Sequence, residues 1–330
     1  PWREDHEPYH VWLSEIMLQQ TRVEAVKGYY ARFLSELPDI AALAACEENR
    51  LTKLWEGLGY YSRVRNLQKA ARVIMVQHGG AFPRKYAEIR ALPGVGDYTA
   101  AAICSIAYNM PYAVVDGNVY HVLRVLSRVT QDTAPVTRPA VKKAYETALR
   151  PVYAANPGKR SELTQALMEL GACVCVPNGA PKCDACPLRT VCLAEKSGAW
   201  ASLPVKEVKK PRRIEEKTVF FLQCGGQYAV RKRPETGLLA GLWELPNVEG
   251  TLDAQQALAL LDSWGLVPEE LTRTRERTHI FTHVEWRMRC YDIRVSMPAD
   301  SFTWVSGTRF QQDIALPTAF RIFWQPEDAE

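Results

Sequence analysis

The sequence lacks any apolar run of membrane-spanning length and any stretch with the pattern of a secretory signal peptide. It also lacks a dominant charge, because 41 Lys and Arg residues against 37 Asp and Glu residues leave a net charge of +4. With 47% hydrophobic residues over 330 positions, the chain can form two globular domains. We therefore expect a cytoplasmic globular protein, and the slightly basic balance permits nucleic-acid binding without requiring it.

The nine cysteines are unevenly distributed. Four are scattered and are expected to be ordinary buried thiols, namely Cys46, Cys104, Cys224 and Cys290. The others crowd between residues 173 and 192, which a secreted disulfide protein with so large a core would not need. Cys183-x2-Cys186-x5-Cys192, preceded by Cys175, places four thiolates in one short loop, 175–192. Such a set holds zinc or an iron–sulfur cluster, and the spacing alone does not exclude zinc.

A glycine-rich turn, Pro93-Gly94-Val95-Gly96, precedes a helix of small residues predicted over 99–107. Glycine lets the backbone approach a ligand closely, and the amides at the start of the helix suit a phosphate. Asp116-Gly117-Asn118 then leads into a second apolar helix, where Asp is a favoured N-cap. Taken alone, this stretch predicts a helix hairpin with an Asp cap.

The rest of residues 1–200 also reads as mostly helical. Apolar residues recur at helical spacing over 11–37, with a polar patch that contains Glu15, and further helices are predicted over 140–149 and 162–170. A basic, proline-containing segment, 201–217, has the composition of a linker.

From residue 218 the pattern changes to strands. Two short apolar runs flank Gly225-Gly226 and predict a hairpin, residues 253–265 predict a helix, and 277–295 alternate like paired strands. The sequence therefore predicts an α+β protein with two domains, 1–200 and 218–330.

Several motifs carry a family resemblance. LPGVGDYTA at 92–100, followed by VDGNV at 115–119, resembles the helix-hairpin-helix DNA glycosylases, and within them the MutY-type adenine glycosylases. PWR at 1–3, SEIMLQQTRV at 14–23 and GLLAGLWELP at 237–246 extend the match over nearly the whole chain. The resemblance implies an all-α glycosylase domain with a [4Fe-4S] loop, then an α/β Nudix-like domain. It also implies that an N-terminal helix is missing from this chain.

The resemblance assigns four catalytic residues. Glu15 would protonate the adenine leaving group, Asp116 would stabilise the sugar cation, and Tyr98 and Asn118 would hold these groups by hydrogen bonds. Related enzymes of the endonuclease III type, which also cut the strand, carry Lys where Tyr98 stands. A phenol cannot form a Schiff base, so we expect adenine removal that leaves an apurinic site. The implied partner of this monomer is duplex DNA with an 8-oxoguanine:adenine or guanine:adenine mispair.

The resemblance also assigns contacts with DNA and with the lesion. Leu58 and Tyr60 are expected as exposed tips of a wedge that enters the duplex. Phe281-Thr282-His283 matches a loop that recognises oxidised guanine, although the residues alone would suggest a strand end. No full Glu-rich Nudix box is present, so the second domain reads the lesion and is not a second enzyme. The remaining predicted contacts are Trp2, Arg3, Gln20, Thr21, Arg63, Gly94, Gly96 and Gln165.

In the family the cluster ligands are spaced x6, x2 and x5, and here the first gap is seven residues. The LGAxxC match selects Cys175 rather than Cys173 as first ligand, with the extra residue expected in the Pro177-Asn178-Gly179 turn. The resemblance therefore implies a structural [4Fe-4S] cluster held by Cys175, Cys183, Cys186 and Cys192, which orders a DNA-binding loop.

Two other functions stay open at this point. One is a pyrimidine glycosylase and lyase of the endonuclease III type, against which Tyr98 and the second domain argue. The other is a DNA-binding protein that uses an iron–sulfur platform without catalysis. His121 stands where the family usually has Arg, and Asp97 stands where a basic residue is expected beside the hairpin.

Overall fold

The computed structural model describes residues 1–127, 138–176, 179–203 and 211–324. The chain divides into two compact units, Pro1–Ala45 with Asn66–Lys209, and Cys46–Arg65 with Lys210–Glu330. Residues 46–65 thus group with the second unit, although the sequence places them inside the predicted helical domain; the predicted domain boundaries stay a prediction. Within the described residues, no helix is both long and apolar enough to cross a membrane.

The secondary structure of the described residues up to 203 is helical. In chain order these are α1 (Pro8–Met17), α2 (Val23–Glu36), α3 (Ile40–Ala45), α4 (Glu48–Leu54), α5 (Ser62–Gln77), α6 (Tyr86–Arg90), α7 (Asp97–Ile106), α8 (Gly117–Leu126), α9 (Pro139–Ala155), α10 (Arg160–Glu169) and α11 (Leu193–Lys196). A π-helical turn, Leu170–Val174, continues α10, and 3-10 turns occur at Cys183–Ala185, Arg189–Val191 and Ala199–Ser202. Helix α4 and the start of α5 belong to the second unit.

The stretch 11–37, whose apolar residues recur at helical spacing, forms two helices rather than one. Helix α1 ends at Met17 and α2 begins at Val23, with Gln20 between them at φ +56°. This left-handed conformation is uncommon for a residue other than glycine. Periodicity did not show the break, because Ile16 and Val26 on either side of it are both buried.

Helix α7 is the helix of small residues, and it packs against α1 and α10. Its buried face contains Ala100, Ala102 and Ile103, each 0% exposed, so neighbouring helices can approach its backbone closely. This packing brings the C-terminal half of α1 beside the first turn of α7.

The second unit contains a seven-stranded sheet in the order β3-β2-β1-β6-β5, with β4 beside β1 and β7 beside β2. The strands are β1 (Arg213–Cys224), β2 (Gln227–Lys232), β3 (Trp243–Glu244), β4 (Asn247–Glu249), β5 (Pro268–Ile280), β6 (Val284–Val295) and β7 (Thr303–Ser306). Strands β1 and β6 are parallel, whereas β1–β2 and β5–β6 are antiparallel. The predicted hairpin at Gly225-Gly226 and the paired strands before Val295 are confirmed.

The C-terminal end of the linker predicted over 201–217 overlaps the first strand of the structure. Strand β1 already begins at Arg213, where it pairs with Val284, and Lys217 pairs with Met288. The charged residues at the start of β1 resemble the composition of a linker. One of them, Glu215, belongs to the folded unit, because Trp286 Nε1 donates to its Oε2 at 2.8 Å. Residues 204–210 of the predicted linker lie outside the described residues.

Both faces of the sheet are buried. Along β1, Val219 and Phe221 face one core, while Phe220 and Leu222 face the other. Helix α12 (Ala254–Ser263) packs on the second face, and α13 (Gly307–Gln312) and α14 (Thr318–Arg321) pack on the first. The continuous apolar run Val219–Leu222 is typical of a strand covered on both sides.

Candidate active site

Three helices bring Glu15, Tyr98 and Asp116 together. Glu15 lies on α1 and is 4% exposed, and Tyr98, in the first turn of α7, donates its hydroxyl to Glu15 Oε2 at 2.8 Å. Asp116 is the N-cap of α8, where its Oδ1 accepts the amide of Val119 at 2.7 Å. The predicted catalytic residues thus converge in the first unit, although they are far apart in sequence.

The surroundings of the two carboxyl groups differ. Burial raises the pKa of Glu15; the bond from Tyr98 and the charge of Arg3 oppose this, and the charge of Asp116 raises the pKa further. Burial also raises the pKa of Asp116, but bonds from Val119 and Asn118 favour its ionised form. Burial raises the pKa of Tyr98 well above its usual value, so its hydroxyl remains a donor. The site therefore suits a protonated Glu15 beside a more strongly hydrogen-bonded Asp116.

Asn118 connects Asp116 with the segment that leads to the cysteine loop. Its Nδ2 donates to Asp116 Oδ2 at 2.9 Å. Gly171, in the π-helical turn, lies so close that a Cβ there would come within 2.6 Å of the Asn118 carbonyl oxygen. The turn therefore sets the position of the first residues of α8.

Arg3 is held beside Glu15 by an acidic residue that the sequence did not suggest. Its guanidinium contacts Glu169 Oε1 at 3.4 Å, and the two side chains are 27% and 51% exposed. Trp2 is buried and its ring packs edge-on against Tyr30, so it supports the site from the core. Gln165 is half-buried on α10, where its Nε2 donates to Ser161 Oγ at 3.0 Å.

The glycine-rich turn precedes α7 as predicted. Gly94 has φ +75° and a Cβ there would meet Asn66 Cβ at 2.6 Å, while Gly96 is the N-cap with open space around its Cα. Arg90 Nε contacts Asp97 Oδ1 at 2.5 Å, so the Asp97 carboxylate forms an ion pair within its own unit. With that charge paired, the exposed amides at the start of α7 remain suited to a phosphate.

The Leu58–Tyr61 turn differs from the expected wedge at one position. Tyr60 is exposed, at 47%, and has φ +49°, but Leu58 is only 6% exposed, so its predicted exposure is wrong. Arg63 is buried as well, and its Nη2 donates to the carbonyl oxygens of Leu58 and Gly59. Burial lowers the pKa of Arg63 to about 10. In this structure Arg63 stabilises the turn, and Tyr60 is its exposed tip.

Phe281, Thr282 and His283 form the turn between β5 and β6. The Phe281 ring lies 4.9 Å from that of Trp286, while Thr282 and His283 are exposed. Tyr60 and Thr282 hydroxyl oxygens are 2.7 Å apart, within hydrogen-bond distance. The structure thus joins two predicted lesion contacts inside the second unit.

Four cysteines line a cavity of about 30 Å³ in the first unit, and they are Cys175, Cys183, Cys186 and Cys192. Cys173 is exposed and lies against Glu169 Oε2 at 3.6 Å. Burial and the charges of the other three thiols raise the pKa of Cys175 to about 11. Within the described ranges, no three His, Cys, Asp or Glu side chains are arranged to hold a single metal ion. Residues 177–178 of the predicted extra turn lie outside those ranges.

The remaining predicted contacts lie between α1 and α2. Gln20 is exposed, Thr21 is half-buried, and Gln19 reaches from the same turn to donate to Thr99 Oγ1 at 3.4 Å. Sequence reasoning missed Glu169, Gly171 and Asn66. The sequence offered a signal for Gly171 alone, because a glycine in the Leu-Gly-Ala run before the cysteines permits close packing.

The comparisons with known proteins identify both parts of the chain. Residues 13–147 match the family described as "HhH-GPD superfamily base excision DNA repair protein", and residues 218–325 match a NUDIX domain. The chain is 34% identical to the adenine DNA glycosylase of Mus musculus, over 98% of this chain and 74% of that protein. The chain belongs to the adenine DNA glycosylase family.

Other members of the family and the fold agree with this assignment. The adenine DNA glycosylase of Buchnera aphidicola subsp. Acyrthosiphon pisum is 36% identical over 77% of this chain and 71% of its own length. A structure of a non-covalent endonuclease III–DNA complex matches 60% of this chain and 88% of its own, with TM-score 0.51 and 23% identity, which shows the fold alone. The predicted resemblance and the predicted fold class, a helical glycosylase fold followed by a Nudix-like sheet, are confirmed. The roles of individual residues stay predictions.

Proposed function

We propose that this chain removes adenine from duplex DNA in which adenine is mispaired with 8-oxoguanine or guanine. The observation that carries this proposal is the buried Glu15, hydrogen-bonded to Tyr98 and placed near a well-bonded Asp116. Family membership supports the same activity. The implied substrate is duplex DNA, and the working form is a cytoplasmic monomer.

Glu15 acts as the general acid. Burial raises its pKa and so favours the protonated form, and in this role the proton passes to the adenine leaving group, at N7. The base must first leave the stack, at a cost of roughly a few kcal/mol that a mispair lowers. Tyr98 orients the carboxyl group, and Arg3 beside it contacts the base.

Asp116 acts on the sugar. As adenine leaves, positive charge develops on the sugar ring, and the Asp116 carboxylate stabilises it directly or through a transient bond. Bonds from Val119 and Asn118 hold its oxygens in place. Water then adds to the sugar C1′ and loses a proton to solvent, which leaves an apurinic site. Tyr98 has no amine to attack the opened sugar, so the strand stays intact.

The four cavity cysteines would hold a [4Fe-4S] cluster. In a cluster each thiolate binds a different iron, so the sulfurs lie farther apart than around one zinc ion. The placement of all four cysteines around one cavity, together with the family resemblance, supports the cluster assignment. The cluster would be structural: it would order the loop that carries Lys182 and Arg189 for DNA binding.

A single-turnover assay tests the function. The substrate is a duplex with one 8-oxoguanine:adenine pair and a labelled adenine strand, and half of each quenched sample is heated in alkali. We expect strand breaks only after alkali, which means excision without lyase activity. Breaks without alkali would support the lyase alternative, and no product in either half would support a binding protein.

Two variants test the assigned residues. Glu15→Gln and Asp116→Asn should bind the duplex nearly as well as the wild-type chain, because neither side chain is assigned to phosphate. Base release should fall by about 10²-fold or more, the contribution typical of a positioned acid–base group. Base release at the wild-type rate in both variants would contradict the catalytic assignment.

A further inference from the structure

The segment that carries Tyr60 is attached at three points to the loops of the second unit. Leu316 N donates to Glu56 Oε1 at 2.9 Å, Arg65 Nη2 donates to the Ala240 carbonyl at 2.7 Å, and Tyr60 contacts Thr282. All these residues belong to the second unit. The segment is therefore held before, at and after its exposed tip.

Glu56 is the most heavily engaged of these side chains. Its carboxylate is 12% exposed and lies 2.9 Å from Lys53 Nζ and 3.7 Å from Arg321 Nη1, besides its bond with Leu316. Lys53 also donates to the Ile314 carbonyl at 3.1 Å. The Glu56 and Lys53 side chains are largely buried, so their pair should be stronger than an exposed ion pair, whereas Arg321 is 44% exposed and should add little.

The second attachment, between Arg65 and Ala240, packs the GLLAGLWELP stretch against Arg65. A Cβ on Gly241, which has φ +62°, would approach Arg65 Nη2 to 3.0 Å, so the loop follows the guanidinium closely. Arg65 is therefore engaged with a carbonyl of this loop, although the sequence also permits a phosphate contact.

The turn between these attachments is braced internally. Trp55 Nε1 donates to the Gly59 carbonyl at 3.1 Å, and Arg63 donates to the same oxygen at 3.0 Å. A displacement at Glu56 should therefore move Tyr60 instead of being absorbed within the turn.

We propose that Glu56 is a positioning residue for reading the base opposite adenine, because it holds Tyr60 where its hydroxyl meets Thr282. This inference rests on the proposed function. An acidic side chain is not suited to bind phosphate, so its effect on base selectivity would act through Tyr60.

The test compares single-turnover adenine release from duplexes with 8-oxoguanine or guanine opposite adenine. Glu56→Ala should lower the ratio of the two rates about tenfold, the size of one lost hydrogen bond to a charged group. Glu56→Gln keeps an acceptor for Leu316 N and should restore most of the ratio. Glu249→Gln, an exposed residue at the end of β4, is the charge-matched control and should leave the ratio unchanged.

Combination with Tyr60→Phe separates positioning from a purely structural role. If Glu56 acts through Tyr60, the double variant should have the ratio of Tyr60→Phe alone, because the two losses are not independent. Three results would each overturn the proposal. They are an unchanged ratio in folded Glu56→Ala, an equal fall in both rates, and a double variant in which the two single-variant losses of the ratio multiply. If Glu56→Ala does not fold in a thermal melt, Glu56→Asp replaces it, because the shorter side chain keeps the charge but withdraws the carboxylate from Leu316 N. An unchanged ratio in Glu56→Asp would then overturn the proposal. A wild-type chain that releases no adenine would instead contradict the proposed function.

Discussion

At the scale of residues, the two carboxyl groups differ in their hydrogen-bond donors. Both are taken out of water, which raises both pKa values, but Asp116 has an amide and an Asn side chain bonded to it, whereas Glu15 has the Tyr98 hydroxyl. Hydrogen bonds that favour the ionised form lower the pKa and so oppose the effect of burial. The division into acid and charge stabiliser that we propose would therefore depend on a few donors that single substitutions can remove.

Tyr98→Phe should shift the pH dependence of adenine release. The bond from Tyr98 lowers the pKa of Glu15, so its removal raises that pKa. Because Glu15 must be protonated in this role, the rate falls as pH rises through its pKa, and the falling limb of the variant should move to higher pH. Single-turnover rates across pH measure this shift, with Tyr112→Phe as the matched control. A limb that moves to lower pH would show that Glu15 is not the acid.

At the scale of elements, the π-helical turn Leu170–Val174 packs against helix α8 and leads directly into the cysteine loop. Gly171 faces Asn118 from one side of this turn, and the chain enters the loop at Cys175 immediately after it. A glycine is required there because any side chain would overlap the α8 backbone.

Gly171→Ala should impair catalysis more than binding. The added Cβ must displace Asn118 and with it the cap at Asp116, so we expect a fall of at least about tenfold in the single-turnover rate. The free energy of unfolding should fall by about 1–3 kcal/mol, as in other overpacked sites. Gly158→Ala is the control, since nothing lies within 4 Å of its added Cβ. Duplex binding that is lost in parallel with catalysis would argue against a local effect on Asp116.

At the scale of the whole molecule, the two units have separate cores and separate requirements. The second unit buries both faces of its sheet with its own helices, and its cores contain none of the cavity cysteines. The first unit encloses those cysteines in a cavity that would hold the cluster. Loss of the cluster should therefore destabilise one unit alone.

Cys186→Ser should remove iron and lower only one of two unfolding transitions in calorimetry. The reason is that the cluster would join parts of the 175–192 loop that few apolar contacts hold. Metal analysis and calorimetry check this, with Cys173→Ser as control because Cys173 lies outside the cavity. Iron loss in Cys173→Ser would make that residue a ligand, and zinc in the wild-type chain would exclude the cluster.

Local sequence patterns were sufficient for much of the fold and for part of the site. The hairpin at Gly225-Gly226, the small-residue helix α7, the Asp116 cap and the covered strand at Val219–Leu222 follow from turn chemistry and hydrophobic pattern. Motif resemblance pointed to Glu15, Tyr98 and Asp116, which the structure brings together, and to the four cysteines that line one cavity; their roles stay predictions. These features depend on residues that are close in sequence or on motifs that carry their own signature.

Only the tertiary structure decided how distant residues meet. The break after Met17, the burial of Leu58 and Arg63, and the start of β1 at Arg213 depend on packing partners that no local window contains. The same holds for the contact of Gly171 with Asn118, the pairing of Arg3 with Glu169 and the attachment of Glu56 to Leu316. Sequence by itself determined which chemical groups are available and where turns occur, because these depend on neighbouring residues. Tertiary packing decided which of those groups are buried, paired or exposed, because burial and charge pairing are properties of residues brought together from different parts of the chain.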